Sequence, residues 1–139
     1  MIKMVIEQPG KSPVSIAGTG IRRALGELWT VSEGTSDTPG GPSMLRTLGY
    51  DPQKGKFVST WISSMMSHLW VYEGFLDADE RVLTLEAVGP SFTRPGELVQ
   101  YRNFITVIDH DYHTMTGASL GDDGQWKNET MTMHFRRKK

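Results

Sequence analysis

Cysteine is absent from the 139 residues of this sequence. The chain therefore has no disulfide framework, no thiolate nucleophile and no zinc site built on cysteine. We expect a cytoplasmic protein, because reducing compartments are where disulfides are rare. Long apolar runs are also missing, since no stretch approaches the roughly 18 consecutive apolar residues of a membrane span. The first residues are too short and too interrupted an apolar stretch for a secretory signal, and we expect no membrane association.

An excess of one sign of charge is missing as well, because the formal net charge at pH 7 is -1. Non-specific binding to nucleic acid depends on an excess of lysine and arginine, so we expect no nucleic-acid partner. The one run of like charge is Arg136-Arg137-Lys138-Lys139, and we interpret it as a solvated chain end. A chain of this length forms one core without covalent staples, and we predict a single domain over residues 1–139.

Helical periodicity is scarce, and the 15 glycines and 7 prolines interrupt the few windows in which it begins. Short runs of β-branched and aromatic residues are frequent, and turn signals such as Asp51-Pro52-Gln53-Lys54-Gly55 separate them. The pattern predicts ten strands, near residues 2–7, 15–24, 27–34, 43–50, 56–66, 68–76, 81–88, 97–108, 112–119 and 125–136.

Strands with turns every 8–12 residues are typical of a sandwich or a barrel. The faces of these strands are mixed: in 68–76 one face carries His68, Trp70 and Tyr72, while the other carries Leu69 and Val71. A sandwich with one solvated face alternates more sharply than this, whereas a barrel with a partly polar interior does not have to. We predict an all-β fold, an antiparallel up-and-down β-barrel of about 8–10 strands.

Several uncommon strings resemble domain-of-unknown-function family 1579, over roughly residues 20–137. They are Leu48-Gly49-Tyr50-Asp51-Pro52, Gly55-Lys56-Phe57-Val58-x-Thr60-Trp61, Ser67-His68-Leu69-Trp70-Val71-Tyr72-Glu73-Gly74, Val82-Leu83-Thr84-Leu85-Glu86, Gly89-Pro90-Ser91-Phe92 and Asp122-Asp123-Gly124-Gln125-Trp126. The resemblance implies a bacterial protein with a lipocalin-like (calycin-like) or fatty-acid-binding barrel and no established reaction. Members usually begin with a short helix and a Gly-x-Trp strand, which this chain lacks. An unpaired edge that a second subunit could cover would follow, and we expect a homodimer.

One face of several strands gathers residues suited to a ligand. The predicted ligand-binding residues are His68, Trp70, Tyr72, Arg102, Phe104 and His134. Arginine in an apolar interior pairs bidentately with a carboxylate, and aromatic rings bury the body of a ligand. The alternative interpretation is that Trp70 and Tyr72 are core residues and that Arg102 is a surface partner of Glu86.

Two motifs suggest chemistry but lack its context. Gly117-Ala118-Ser119-Leu120-Gly121 matches a nucleophile elbow, which requires a strand that turns into a helix, whereas residues 122–126 predict a hairpin tip. Asp109-His110-Asp111-Tyr112-His113 holds several possible metal ligands, but consecutive residues of a strand point to opposite faces. We interpret these segments as a strand end and a solvated turn, and we expect no metal, no cofactor and no assignable catalytic residue.

Three function classes stay open. The favoured class is a binding protein for a small, partly apolar ligand, with a carboxylate as one possible group. The second is a structural or interaction module with a filled barrel. The third is an enzyme with His68 or His134 as general base beside Glu86 or Glu129. We favour binding over catalysis, because the spacing supports no triad, metal site or pair of carboxylates.

Overall fold

The computed structural model describes residues 2–7, 16–91 and 94–137, with side chains over 18–91, 94–128 and 132–137. Phe92, Lys138 and Lys139, which enter the sequence predictions, lie outside the described residues. The fold is built from ten strands: β1 (Ile2–Glu7), β2 (Ile16–Leu25), β3 (Trp29–Ser36), β4 (Ser43–Asp51), β5 (Lys56–Ser63), β6 (Trp70–Leu76), β7 (Val82–Pro90), β8 (Leu98–Asp109), β9 (Tyr112–Leu120) and β10 (Trp126–Arg137).

All ten strands belong to one antiparallel sheet, in which each strand pairs with the strand that follows it in the chain. β1 pairs with β10 as well as with β2, so each of the described strands has two neighbours. The predicted all-β, antiparallel fold is confirmed. The unpaired edge on which we based the expected homodimer is not found among the described strands, and the dimer itself stays a prediction.

No helix occurs in the described part of the chain, and hence none there is long and apolar enough to cross a membrane. The ends of the predicted strands lie within two residues of the observed ones, except that β5 was predicted to continue to residue 66. β5 ends at Ser63, because the Ser63 hydroxyl accepts a hydrogen bond from the Met65 amide at 3.3 Å and its carbonyl accepts one from the Met66 amide. Serine side chains compete in this way with the pairing of strands.

Aspartate side chains fix two of the hairpins at one end of the sheet. In the β4–β5 turn, Asp51 Oδ1 accepts hydrogen bonds from the amides of Gln53 and Lys54, at 2.9 and 3.3 Å. In the β6–β7 turn, Asp77 Oδ1 accepts hydrogen bonds from the amides of Arg81 and Val82, at 2.8 and 3.1 Å. Such bonds replace those that the backbone loses where a strand stops, and they set where the flanking strands begin.

One face of the sheet, here called the inner face, carries the buried core. The core cluster lies on β6, β7 and β8 and consists of Trp70, Tyr72, Leu83, Leu85, Ala87 and Tyr101. Its rings pack closely: the centroids of Trp70 and Tyr101 are 5.3 Å apart, edge to face. The Tyr101 hydroxyl donates a hydrogen bond to the Pro90 carbonyl at 2.7 Å, which satisfies its polar end. This cluster fills the inner face on one side of the molecule.

Candidate ligand-binding site

The rest of the inner face borders a cavity of about 390 Å³. This volume falls within the range of small-molecule sites in proteins. Much of the lining is apolar and includes Leu48, Phe57, Trp61, Leu76, Leu83, Ile105, Val107, Met133 and Phe135. Glu80 and Arg81 of the β6–β7 turn also border the cavity, which therefore extends toward that end of the sheet.

Two arginines of the inner face lie on the cavity wall in one row of paired residues. Arg22 of β2 is opposite Ser32 of β3, and Ser32 is opposite Arg46 of β4. All three residues line the cavity. Since neighbouring strands are about 4.8 Å apart, the two arginines leave the backbone only about 10 Å from each other. The row places one guanidinium group on each side of the Ser32 hydroxyl.

Arg46 is held by neutral groups on three other strands, β5, β6 and β9. Its Nη1 donates a hydrogen bond to the Ser59 hydroxyl at 3.2 Å, and its Nη2 donates one to the Met115 sulfur at 3.6 Å. Its guanidinium carbon lies 5.2 Å from the centre of the Tyr72 ring. A cation above an aromatic face is stabilised by the ring quadrupole, but none of these partners cancels the positive charge.

Arg22 forms the second cationic position, together with His113 of β9. Its Nε donates a hydrogen bond to the Ser32 hydroxyl at 3.3 Å, and its Nη2 lies 3.0 Å from His113 Nε2. Because a guanidinium can only donate, Nε2 accepts this bond and the imidazole carries its proton on Nδ1. The imidazole also stacks on the Phe135 ring, with centroids 4.7 Å apart and planes 9° apart.

Burial and the second positive charge shape the electrostatics of this row. Burial lowers the pKa of Arg46 and, although Arg22 is still reached by solvent, protein around it lowers the pKa of Arg22 as well. Burial, followed by the charge of Arg22, lowers the pKa of His113 to about 4. Arginine stays protonated in proteins, so at neutral pH the row holds two positive charges beside a neutral imidazole.

No carboxylate compensates these two charges within the described residues. Glu33 and Glu80 both line the same cavity, and Glu33 pairs with Arg23 at 3.5 Å. None of the ion pairs in the described part of the chain involves Arg22 or Arg46. Arg22 is exposed and Arg46 is half-buried, so the cost of burying a charge without a partner falls mainly on Arg46. Groups with a perturbed pKa cluster at functional sites.

Three of the six residues predicted as ligand-binding lie in or beside the core cluster. Trp70 and Tyr72 are buried within it, and Tyr72 reaches the cavity wall indirectly, through its contact with Arg46. His68 packs edge to face against Trp70 at 4.8 Å, and its Nε2 lies 3.3 Å from the Val88 carbonyl oxygen. The contacts of Trp70 and Tyr72 agree with the alternative interpretation, in which both are core residues.

The other three predicted residues lie on the outer face, opposite the cavity. Arg102 and Phe104 alternate with Tyr101 and Ile105, whose side chains belong to the core and the cavity lining. Arg102 donates a hydrogen bond from Nε to Glu86 at 3.1 Å and stacks on the Trp126 ring, which is the surface pairing of the alternative interpretation.

His134 is also on the outer face, where it stacks on Tyr112 and lies 2.7 Å from its hydroxyl. The side chain of Glu129, its proposed carboxylate partner, lies outside the described residues. None of the six predicted residues lines the cavity.

The alternation of apolar residues in the sequence indicates that Arg46 faces inward, although Arg46 was not among the predicted ligand-binding residues. Arg46 lies between Met44 and Leu48 at a spacing of two, so a strand that places these apolar side chains inward must also place Arg46 inward. Arg22 had no such signal, because its neighbours at the same spacing are Gly20 and Ala24.

The segment with possible metal ligands divides between a turn and two faces. Asp109 ends β8, and His110 and Asp111 form the β8–β9 turn. Tyr112 faces outward to His134, and His113 faces the cavity. No group of three histidine, aspartate or glutamate side chains within the described residues is arranged to hold a metal ion.

Ser119 of the G-x-S-x-G motif lies inside β9, and a turn follows it instead of a helix.

A comparison with protein families agrees with the resemblance stated from the sequence. The family model described as "Protein of unknown function (DUF1579)" matches residues 2–137, a longer stretch than the predicted 20–137. No curated protein matches the chain.

Proposed function

The chain belongs to the DUF1579 family of proteins of unknown function, and we propose that it binds a small amphipathic anion in the cavity of the inner face. The ligand group that fits the cavity best is a carboxylate joined to an apolar body. The proposal keeps the ligand class predicted from the sequence and assigns it to a different set of residues.

The observation that carries this proposal is the pair Arg22 and Arg46, which faces an apolar cavity without a carboxylate partner among the described residues. An anion between the two guanidinium groups would supply the missing negative charge. Hydrogen bonds between arginine and a carboxylate are charge-assisted and often bidentate, and they are stronger where water is scarce. The Ser32 hydroxyl between the arginines offers one more donor.

The opposite part of the lining suits the apolar body of such a ligand. Leu76, Leu83, Ile105 and Val107 come from β6, β7 and β8, across the cavity from the arginine row on β2–β4. A site with few charged groups on one side and apolar side chains on the other orients an amphipathic ligand. Burial of the apolar body would contribute most of the binding free energy, and the arginines would select the charged end.

We also propose that the ten strands act as an up-and-down barrel of the lipocalin and fatty-acid-binding type. The pairing of consecutive strands and of β1 with β10 supports this description. The cytoplasmic location and the homodimer stay predictions, as does the absence of an enzymatic role.

A filled module without a ligand is the second candidate, and the core cluster favours it. Trp70, Tyr72 and Tyr101 already occupy part of the inner face, and large aromatic side chains of this kind need no ligand to be stable. In this case Arg22 and Arg46 would face only water, and no anion would bind more tightly than a neutral analogue.

Calorimetric titration of the purified protein with decanoate, and separately with 1-decanol, distinguishes the two candidates. We expect decanoate to bind and the Arg46→Met variant to bind it at least about tenfold more weakly, since a hydrogen bond to a charged group is lost. The matched control is Arg102→Met, which removes an arginine from the outer face and should leave the affinity unchanged. Equal affinities of decanoate and 1-decanol, or of the wild type and Arg46→Met, would overturn the proposal.

A further inference from the structure

We infer that the ligand is a short amphipathic anion of about a dozen non-hydrogen atoms, and that long-chain lipids extend beyond the site. This inference rests on the proposed function and adds a size limit to it. It follows from the way in which the core cluster and the cavity divide the inner face.

The core cluster leaves no room for a ligand on its side of the molecule. Leu85 is 0 % exposed, and the Trp70 ring stacks on Tyr72 with centroids 6.3 Å apart. The Trp70 indole also occupies the space above Gly89, where any Cβ would overlap the ring. Close packing of this kind yields only at a cost, so a ligand cannot extend through the cluster.

Trp61 of β5 lies at the boundary between the two regions, whereas Phe57 lies near the other end of the same strand, beside the β4–β5 turn. Both line the cavity, and both also pack against the core cluster. Trp61 is paired with Trp70 in the register of β5 and β6. Trp61 and the core cluster therefore close the end of the cavity that is distant from the β4–β5 and β6–β7 turns, and the end near these turns stays accessible.

The volume then sets the size of the ligand. A water molecule takes up about 30 Å³ of liquid, so a cavity of about 390 Å³ has room for roughly 13 non-hydrogen atoms. Decanoate, with about 12 such atoms, nearly fills this space. The carbons of a longer chain would pass the turn and remain in water, where they add little to the affinity.

A series of straight-chain carboxylates tests the size limit on the wild-type protein. Hexanoate, octanoate, decanoate, dodecanoate and hexadecanoate are titrated below their aggregation limits by calorimetry. We expect the affinity to rise about fourfold for each methylene buried up to decanoate and then to level off. A rise that continues through hexadecanoate would overturn the size limit while leaving the proposed function intact, and a failure of every chain length to bind would overturn the proposed function.

Two variants then show whether the named boundary sets the limit. Trp61→Leu enlarges the closed end, and we expect the affinity to rise further, up to dodecanoate. Ile105→Phe fills the apolar side, and we expect the optimum to shift toward octanoate; this second variant keeps the test valid if Trp61→Leu does not fold. The control is Ile62→Ala, which changes the outer face of the same strand as Trp61 and should keep the limit at decanoate. An unchanged limit in both folded variants would contradict the assignment.

Discussion

Arg46 and Arg102 show how two identical residues, each inside a strand, meet opposite electrostatic conditions. Arg102 faces outward and pairs with Glu86 at 3.1 Å, so its charge is compensated and partly hydrated. Arg46 faces inward, where a hydroxyl, a sulfur and an aromatic ring surround it. An exposed ion pair contributes little to stability, whereas a buried cation without a counter-ion costs free energy. The inward arginine is therefore the one whose presence requires a functional explanation.

His113 leads to a prediction of how stability depends on pH. Its pKa in the folded protein is about 4, below the ordinary value near 6.5, so the unfolded chain binds a proton first as the pH falls. Stability is therefore lost as the pH falls from about 6.5 to about 4. We expect His113→Gln to reduce this loss by on the order of 2 kcal/mol, after allowance for partial exposure.

The measurement is the free energy of unfolding in urea at several pH values across this window. Protonation of carboxylates also lowers the free energy of unfolding in acid. The relevant quantity is therefore the difference in this free energy between the variant and the wild type at each pH. The control is His110→Gln in the exposed β8–β9 turn, which should keep the wild-type profile. Parallel profiles for His113→Gln and the wild type would show that His113 is not held in its neutral form by the fold.

At the level of strands, β6 and β7 approach each other so closely that one glycine is required between them. A Cβ on Gly74 would overlap the carbonyl oxygen of Thr84 in the neighbouring strand. This obstacle is backbone, so it can move only if the two strands separate. We expect Gly74→Ala to lower the free energy of unfolding by about 3 kcal/mol, as in severe overpacking.

Gly55→Ala is the comparison for this prediction, because the free energy of unfolding that it loses has a different origin. It lies in the β4–β5 turn with a φ of 65°, and a Cβ added to it would meet no atom within 4 Å. Gly55→Ala should therefore cost only the backbone preference, about 1 kcal/mol. Urea unfolding of both variants gives the comparison, and equal losses would contradict the proposed close approach of β6 and β7.

The positions of the strands could be predicted from the sequence, but the faces of the strands could not. Turn chemistry is local, so the turn signal at Asp51 marked its hairpin correctly. Trp70 and Val71 are both apolar, yet one is 4 % exposed and the other 55 % exposed. Which of them faces inward depends on the register with β5 and β7, and single-strand alternation does not contain that information. The predicted site residues consequently fell on both faces.

For the whole molecule, the division of the inner face into a packed side and a cavity is a property of all ten strands together. The core cluster comes from β6, β7 and β8, and the arginine row comes from β2, β3 and β4. The volume between them depends on how far apart these walls lie, which no segment of the sequence encodes alone. The size of the site therefore could not be predicted from the sequence, although the presence of arginine and aromatic residues could.

Under the proposed function, the protein exchanges stability for binding at Arg46, and Arg46→Met measures this exchange. Methionine keeps the length of the side chain but removes the uncompensated charge, so we expect the ligand-free variant to be about 1 kcal/mol more stable than the wild type. Arg102→Met is the control and should lose up to about 1 kcal/mol, because its ion pair and its ring contact are exposed. Decanoate should reverse the order of the wild type and Arg46→Met. At about 100 times the wild-type dissociation constant it stabilises the wild type by about 2.7 kcal/mol and a variant of about tenfold weaker affinity by about 1.4 kcal/mol, a difference that just exceeds the advantage of the ligand-free variant. Urea unfolding with and without decanoate provides the measurement, and a ligand-free Arg46→Met protein less stable than the wild type would show that Arg46 serves the fold instead of a ligand.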